Sequence, residues 1–383
     1  MMDFEEFKNS VAEQIKDFLP EKYSDATVDL QEVTKNNDTV LTGLIIRTED
    51  TNIAPNIHLD HYFEQYQDGR DMNDILQNIA NVRVNNEMSQ GFDVSKLKDF
   101  MQVKDHLACK LVNAELNSDY LADKPHTMME DLAVMYVVDL GKNKSGHLTA
   151  PVTDNLLEQY GVTVGELHDI ALNNLAESQI EFKSIRDVLV EMMFPGGMRE
   201  GDPRAFMIPP EEECPAMYVL SNEDKFNGAA VLLDSGTMEN ISEKFGGDFI
   251  VLPSSIHEAI ILPASEDMDR QMLEFMVQSI NAGEVPPEEK LSDHVYMYDS
   301  QEKELVLAEK MDERQQQRAE AQKDAKEAEQ GDKPGKAERG EKKSERERVS
   351  LKEKLPEKKA EVAKNEANRE RPVPTKTKET SLG

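Results

Sequence analysis

The sequence predicts an α+β protein with two mixed α/β modules that contain antiparallel hairpins, followed by a disordered charged C-terminal tail. Runs of β-type residues and amphipathic helical repeats are interleaved up to Lys310, without strict β-α-β alternation. Several β-like runs are joined by short turns, which is typical of hairpins. Beyond Lys310 most residues are charged, Gln or Ala, a composition that buries too little apolar surface to fold.

The first module begins with an amphipathic helix. Apolar residues recur at three- and four-residue spacing from Phe4 to Leu19, and Pro20 ends the pattern. The Asn and Asp residues of the turn at 35–38 tolerate left-handed conformations, so this turn predicts a hairpin. The module's predicted strands are 27–33, 39–47, 103–112 and 132–140, and its further helices are 72–82, 153–161 and 164–175.

A segment rich in Pro and Gly, 194–215, predicts an interdomain linker or a long loop, because it cannot sustain a helix or a central strand. The second module has predicted strands at 217–220, 228–233, 249–252 and 260–262, helices at 238–245 and 272–280, and a hairpin of 295–298 with 305–307. The predicted organisation is a module at 1–193, the linker, a module at 216–308 and a disordered or transiently helical tail at 309–383, with Lys310 near the end of the ordered body.

The charge is strongly acidic and unevenly distributed. The chain has 44 Lys and Arg against 76 Asp and Glu, a net charge of −32. Residues 311–383 hold 20 basic and 17 acidic residues, which leaves residues 1–310 with 24 basic and 59 acidic residues, a net of −35. The negative charge of residues 1–310 repels nucleic acid and anionic membranes. We therefore expect no direct binding to nucleic acid or to membranes, and we expect protein partners.

The N-terminus shows no secretory signal pattern, and the longest apolar run, Leu132 to Val138, is too short to span a bilayer. We therefore expect a cytoplasmic protein. Cys109 and Cys214 have no metal or redox spacing and are interpreted as inert structural thiols. His58, Asp60 and His61 cannot converge on an ion from an extended segment, and no phosphate-binding glycine loop occurs, so no metal or cofactor is predicted.

One local cluster combines the residue types of nucleophilic hydrolysis. Ser254, Ser255, His257 and Glu258 supply a hydroxyl, an imidazole and a carboxylate between two apolar strands. Adjacent residues rarely form a working triad, and there is no Gly-x-Ser-x-Gly elbow to expose a serine. The favoured interpretation is a turn in which Ser254 or Ser255 caps a short helix. The alternative is a catalytic site.

Several separated strings resemble one family in the same order. They are Leu-Thr-Gly-Leu at 41–44, Ile-Ala-Pro-Asn-Ile-His-Leu-Asp at 53–60, Tyr-Val-Leu-Ser-Asn at 218–222, Gly-Ala-Ala-Val-Leu-Leu at 228–233 and Leu-Pro-Ser-Ser-Ile-His-Glu at 252–258. Over residues 1–303 the chain resembles the domain of unknown function 5688. The resemblance implies a bacterial protein of gut Firmicutes near mobile genetic elements, and it implies no activity, cofactor or partner.

The leading functional hypothesis is a non-enzymatic accessory or interaction protein of a mobile genetic element. Two alternatives stay open. One is a hydrolase-like enzyme that uses the Ser254–Glu258 region, which would need a pocket where His257 meets a hydroxyl and a second carboxylate. The other is an acidic decoy that imitates nucleic acid and occupies basic proteins, an expectation drawn from the net charge of the body.

Overall fold

The computed structural model describes residues 2–49, 54–86, 94–143, 146–197, 202–210, 213–253, 255–265 and 269–330. Helices and antiparallel strands are interleaved, which confirms the predicted α+β class. Residues up to Ala321 form one compact unit, and the described residues after it, 322–330, belong to a second. No helix in the described part of the chain has the length and apolar character needed to cross a bilayer.

The N-terminal lobe, residues 2–86, has its own sheet and its own core. Its elements are α1 (Phe4–Gln14), β1 (Thr27–Thr34), β2 (Val40–Arg47), β3 (Asn56–His58), α2 (Asp60–Gln67) and α3 (Met72–Asn85). The predicted first helix is confirmed and begins at a capping box, in which Asp3 accepts from Glu6 N and Glu6 accepts from Asp3 N. The predicted hairpin is also confirmed, because β1 and β2 pair antiparallel. The apolar faces of the helices close over the sheet.

Two further sheets carry the rest of the compact unit. The elements up to the Pro- and Gly-rich segment are α4 (Phe100–Val103), β4 (Leu107–Asn113), α5 (Ser118–Leu121), β5 (His126–Met129), β6 (Leu132–Asn143), β7 (Gly146–Pro151), α6 (Asp154–Tyr160), α7 (Val164–Ala176), β8 (Ile180–Ser184) and α8 (Ile185–Met193). Strand β6 is the centre of the first of these sheets, with β4 on one side and β5 and β7 on the other.

The second half supplies most of the six-stranded sheet. Its elements are β9 (Tyr218–Asn222), α9 (Ser235–Phe245), β10 (Phe249–Leu252), β11 (Ala259–Pro263), α10 (Arg270–Gly283), β12 (Tyr296–Asp299), β13 (Glu304–Leu307) and α11 (Ala308–Gln330). The strand order is β13-β12-β10-β11-β9-β8. Strand β8 therefore pairs with β9 across the predicted linker, and the largest core takes buried residues from both sides of it. The division into modules 1–193 and 216–308 stays a prediction about independent folding.

Three element predictions are wrong in part. Residues 228–233 form a 3-10 helix instead of a strand, because Asn227 takes a left-handed φ of 51° and Gly228 lies directly against neighbouring backbone. The predicted strand 103–112 begins only at Leu107, since Asp99 caps a helical turn before it by accepting from Met101 N. Ordered packing also continues past Lys310, where α11 buries Met311 completely.

Candidate functional site

A cleft of about 280 Å³ lies beside β4, where β6 and β7, the end of α7 and the loop after β9 meet. Polar and apolar surface contribute about equally to its lining. The polar and aromatic side chains are those of Asp105, His106, Asp139, His147, Thr149, Asn174, Ser178, Gln179, Asn222, Glu223, Asp224, Phe226 and Asn227. A concave site with convergent polar groups is the default place for ligand binding in a protein of unknown function.

The loop after β9, residues 223–227, is held in shape by Asn222. The Asn222 side chain donates from Nδ2 to Phe226 O at 2.9 Å and accepts at Oδ1 from Phe226 N at 3.1 Å. Lys225 and Asn227 both adopt left-handed φ values near 50°, at 50° and 51°. The loop is therefore preformed and presents Phe226 in a fixed position.

Phe226 lies between two imidazoles. The His147 ring stacks on it with centroids 4.7 Å apart and an interplanar angle of 5°, and the His257 ring is tilted against it at 5.7 Å. Aromatic groups at these separations contribute about 0.5–1.5 kcal/mol per pair beyond area burial. The stack joins the cleft to the turn that contains His257.

His147 is the most unusual polar group of the cleft. Its side chain is only 9% exposed, and Asp224 Oδ2 lies 3.2 Å from its Nε2. The two atoms are not aligned for a hydrogen bond, so within the described residues Nε2 is buried without a partner. Burial lowers the pKa of His147, with Lys142 adding to this and Asp139 opposing it. The ring is therefore neutral near pH 7 and has a nitrogen that can accept a hydrogen bond.

Carboxylates surround this imidazole. Asp224 also forms an ion pair with Lys142, and Asp139 accepts at Oδ1 from Gly141 N at 2.8 Å. Asp105 and Glu223 also line the cleft. Four carboxylates line the cleft and Lys142 pairs with one of them, so the cleft has a negative potential that favours a cationic group.

The predicted Ser–His–Glu cluster is placed as a turn beside this site. Ser254 lies outside the described residues. Ser255 Oγ accepts from His257 N at 3.0 Å, and His257 Nδ1 accepts from Asn227 N at 3.1 Å. The other ring nitrogen, Nε2, lies 3.7 Å from Glu289 Oε1. Burial lowers the pKa of His257, and Lys110 adds to the effect while Glu258 opposes it.

The described hydroxyl of this turn therefore contacts the backbone of His257 and not its ring. The expected short helix capped by a serine is absent from residues 253 and 255–258, where Ser255 instead forms an isolated bridge with Lys290. Ser255 acts as a turn acceptor, as the favoured interpretation expected for one of the two serines. A catalytic role for Ser254, Ser255, His257 and Glu258 stays a prediction.

His58, Asp60 and His61 lie near one another in the N-terminal lobe. Asp60 accepts from Thr42 N at 2.9 Å, and the His61 ring is tilted by 40° against Tyr62 with centroids 3.9 Å apart. His58 Nδ1 is buried without a partner in the described part of the chain, and burial lowers the pKa of His58. Among the described residues, no three His, Cys, Asp or Glu side chains are grouped so that they could hold a metal ion.

The two cysteines are expected to react very differently with a maleimide. Cys109 is 4% exposed, and burial raises the pKa of its thiol to about 12, so almost no thiolate is present at neutral pH. Cys214 is partly exposed. We expect one thiol per native chain to be labelled rapidly, none in the Cys214→Ser variant, and two after denaturation. Rapid labelling of Cys109 in the folded protein would contradict this packing.

Sequence reasoning missed His147, Asp224 and Phe226. Asn222, Asn227 and Gly228 do give a signal, because Asn residues and an Asn-Gly pair after a strand indicate a tight loop. Three of the strings that carry the family resemblance, 218–222, 228–233 and 252–258, also meet around this loop. Ser221 Oγ donates to His257 O at 2.7 Å, and Ala229 N donates to Ile256 O at 3.2 Å.

The fold and the cleft define an antiparallel α+β protein with an acidic cleft. A family model matches residues 4–300, and the chain belongs to that family, a family of unknown function (DUF5688). No curated protein and no solved structure matches the chain.

Proposed function

We propose that the protein is a non-enzymatic interaction protein whose cleft binds a cationic group, a protonated amine or a guanidinium. The group would be carried either by a free small molecule or by a Lys or Arg side chain of a protein partner. The observation that supports this most is His147, a buried neutral imidazole with an unpartnered Nε2 beside Asp224 and near Asp139. Such a nitrogen can accept a hydrogen bond from an ammonium that the carboxylates attract.

Calorimetric titration with ethylammonium chloride tests the proposal. We expect saturable binding that weakens about tenfold in Asp224→Asn, because a hydrogen bond to a charged group contributes about 1.5–3 kcal/mol and Lys142 loses its ion-pair partner. Asp68→Asn is the matched control: it removes the same charge at an exposed position of the N-terminal lobe. Equal affinity in the Asp224→Asn variant, or no saturable binding, would contradict the proposal.

A blocked peptide with a single Lys between glycines separates the two sources of the cation. Tighter binding of the peptide than of ethylammonium indicates a protein partner, because flanking backbone adds contacts along the cleft walls. Binding of ethylammonium alone indicates a free ligand. Failure of both probes contradicts the proposed function itself.

The affinity should also depend on pH through His147. The pKa of His147 is lowered from the ordinary 6.5 by burial, so the ring is mainly neutral above pH 6.5 and the affinity should change little there. As the pH falls below 6.5 and through the lowered pKa, the ring becomes protonated and repels the ligand, so binding should weaken. An affinity that rises on acidification would show that His147 does not accept from the cation.

The acidic-decoy hypothesis is separable from this proposal. It draws on the net charge of −35 over residues 1–310 and predicts complexes with basic proteins that dissociate steeply as salt rises. A decoy should tolerate Asp224→Asn, since one charge in many is lost. A cleft-directed complex should not tolerate it.

A further inference from the structure

A second pocket, of about 260 Å³, adjoins the cleft and shares His106 and Asp139 with it. This apolar pocket lies between the 3-10 helix Val94–Lys98, α4 and the end of β6. Leu97, Val103, Val138 and Leu140 form its apolar walls, and Val103 and Val138 are buried. The cleft and the apolar pocket thus meet at one carboxylate, that of Asp139.

The wall between the two cavities is rigidly placed. The register of β6 and β7 shifts between Asp139 and Lys142, and Gly141 turns there with a φ of 92°. The Gly141 N–H donates to Asp139 Oδ1, which fixes the carboxylate at the junction. On the opposite wall, Tyr160 OH donates to Leu97 O at 2.7 Å, and Phe100 packs on Tyr160 with ring centroids 5.4 Å apart. Both cavities are therefore preformed.

We infer that the ligand is an amphipathic cation, whose charged group lies in the cleft at Asp139 and whose apolar group, the size of an aromatic ring, occupies the apolar pocket. The inference rests on the proposed function and narrows its ligand class. A cation alone would leave the apolar walls of Leu97 and Leu140 in water, whereas an attached apolar group would cover them. Because the walls are preformed, little ordering is needed to bind such a group.

Calorimetry with three probes tests the inference: 2-phenylethylammonium, ethylammonium and 3-phenylpropanoate. Burial of the ring should make 2-phenylethylammonium bind at least about tenfold more tightly than ethylammonium. The anion 3-phenylpropanoate should not bind, because Asp139 and Asp224 repel it.

Two variants locate the two halves of the ligand. Asp139→Asn keeps an acceptor for Gly141 N and should weaken both ammonium probes, while Asp68→Asn should weaken neither. Leu140→Thr makes the apolar pocket polar without breaking β6, and it should bring the ratio of the two affinities from about tenfold towards one. Leu97→Ala, whose backbone still accepts from Tyr160, serves if Leu140→Thr does not fold.

The outcomes separate the two proposals. If both ammonium probes bind with equal affinity, the apolar pocket is not used, so the inference fails while the proposed function stands. An unchanged ratio in a folded Leu140→Thr or Leu97→Ala variant also overturns the inference. If neither ammonium binds, or if 3-phenylpropanoate binds as well as 2-phenylethylammonium, both proposals fail.

Discussion

Gly228→Ala is expected to destabilise the protein by about 3 kcal/mol or more. A Cβ atom at this buried position would lie 2.9 Å from Asn222 N and closer still to Ser221 Oγ and His257 O. Two of these three atoms belong to the backbone, so no side-chain rotation relieves the clash. The variant should show a large fall in the midpoint of urea unfolding, and the loop that carries Phe226 should lose its position.

Gly236→Ala is the matched control for this substitution. Gly236 lies in helix α9, and the nearest atom to an added Cβ is Asp234 Oδ2 at 3.7 Å, an ordinary contact. Alanine is the better helix former, so this variant should keep the wild-type stability or gain up to about 1 kcal/mol. If both variants unfolded at the wild-type midpoint, Gly228 would not be a site of close backbone approach.

Asp299→Ala is expected to cost about 2–4 kcal/mol and to release the first turns of α11. Asp299 is fully buried at the end of β12, and its Oδ2 accepts from Arg314 Nη1 at 3.1 Å and from Arg318 Nη2 at 2.8 Å. Its Oδ1 accepts from the N–H groups of Gln301 and Glu302. The substitution leaves two guanidinium groups and two backbone N–H groups without their carboxylate acceptor. Arg314 and Arg318 should then become accessible to trypsin.

Mass spectrometry of tryptic digests measures this release. In the wild type, cleavage after Arg314 and Arg318 should be slow, whereas Asp299→Ala should allow trimming towards Lys310, the boundary that composition predicted. Glu302→Ala is the control, since Glu302 contacts Arg318 from an exposed position and its loss should change little. Rapid cleavage after Arg314 in the wild type would contradict the packing of α11 and would place the end of the ordered body near Lys310.

The contribution of Asp299 should vary with pH. Burial pushes the pKa of Asp299 up, but the hydrogen bonds from Arg318, Arg314 and the two backbone amides outweigh it, so the pKa falls below its ordinary 3.8. A carboxylate with a depressed folded pKa stabilises the protein above its unfolded pKa and loses that effect as the pH falls. The stability difference between wild type and Asp299→Ala should therefore shrink as the pH drops below 3.8.

The sequence predicted the fold class and most helices and hairpins because local patterns determine them. The hairpin at 35–38 and the first helix follow from turn residues and from apolar periodicity, although α1 ends at Gln14 and a 3-10 helix, Ile15–Phe18, follows it within the predicted stretch. The 228–233 segment misled the prediction, because an apolar run buried on every side has the same composition as a central strand. The contact of Gly228 with Ser221 and His257 distinguishes the 3-10 helix from a strand, and that contact joins residues that are distant in sequence.

The cleft could not be predicted from local sequence patterns, because its residues come together only in the folded chain. His147 and Phe226 are distant in sequence and meet only when β7 and the loop after β9 come together. The Ser255–His257 string is recognisable in the sequence because its hydroxyl and its imidazole are close neighbours in the chain. In the structure the imidazole accepts from Asn227 N and lies near Glu289. α11 was missed as a packed element because its composition is almost wholly polar, and its attachment depends on Met311, Arg314 and Arg318.

The most direct test of the cation cleft is the nitrogen NMR spectrum of the eight histidines during titration with ethylammonium. The His147 signals are assigned by their absence in His147→Gln. We expect neutral-ring shifts for His147 at pH 7, a saturable change in its Nε2 signal with the calorimetric affinity, and loss of that change in Asp224→Asn. If saturating ethylammonium leaves the His147 signals unchanged, the proposed site is contradicted.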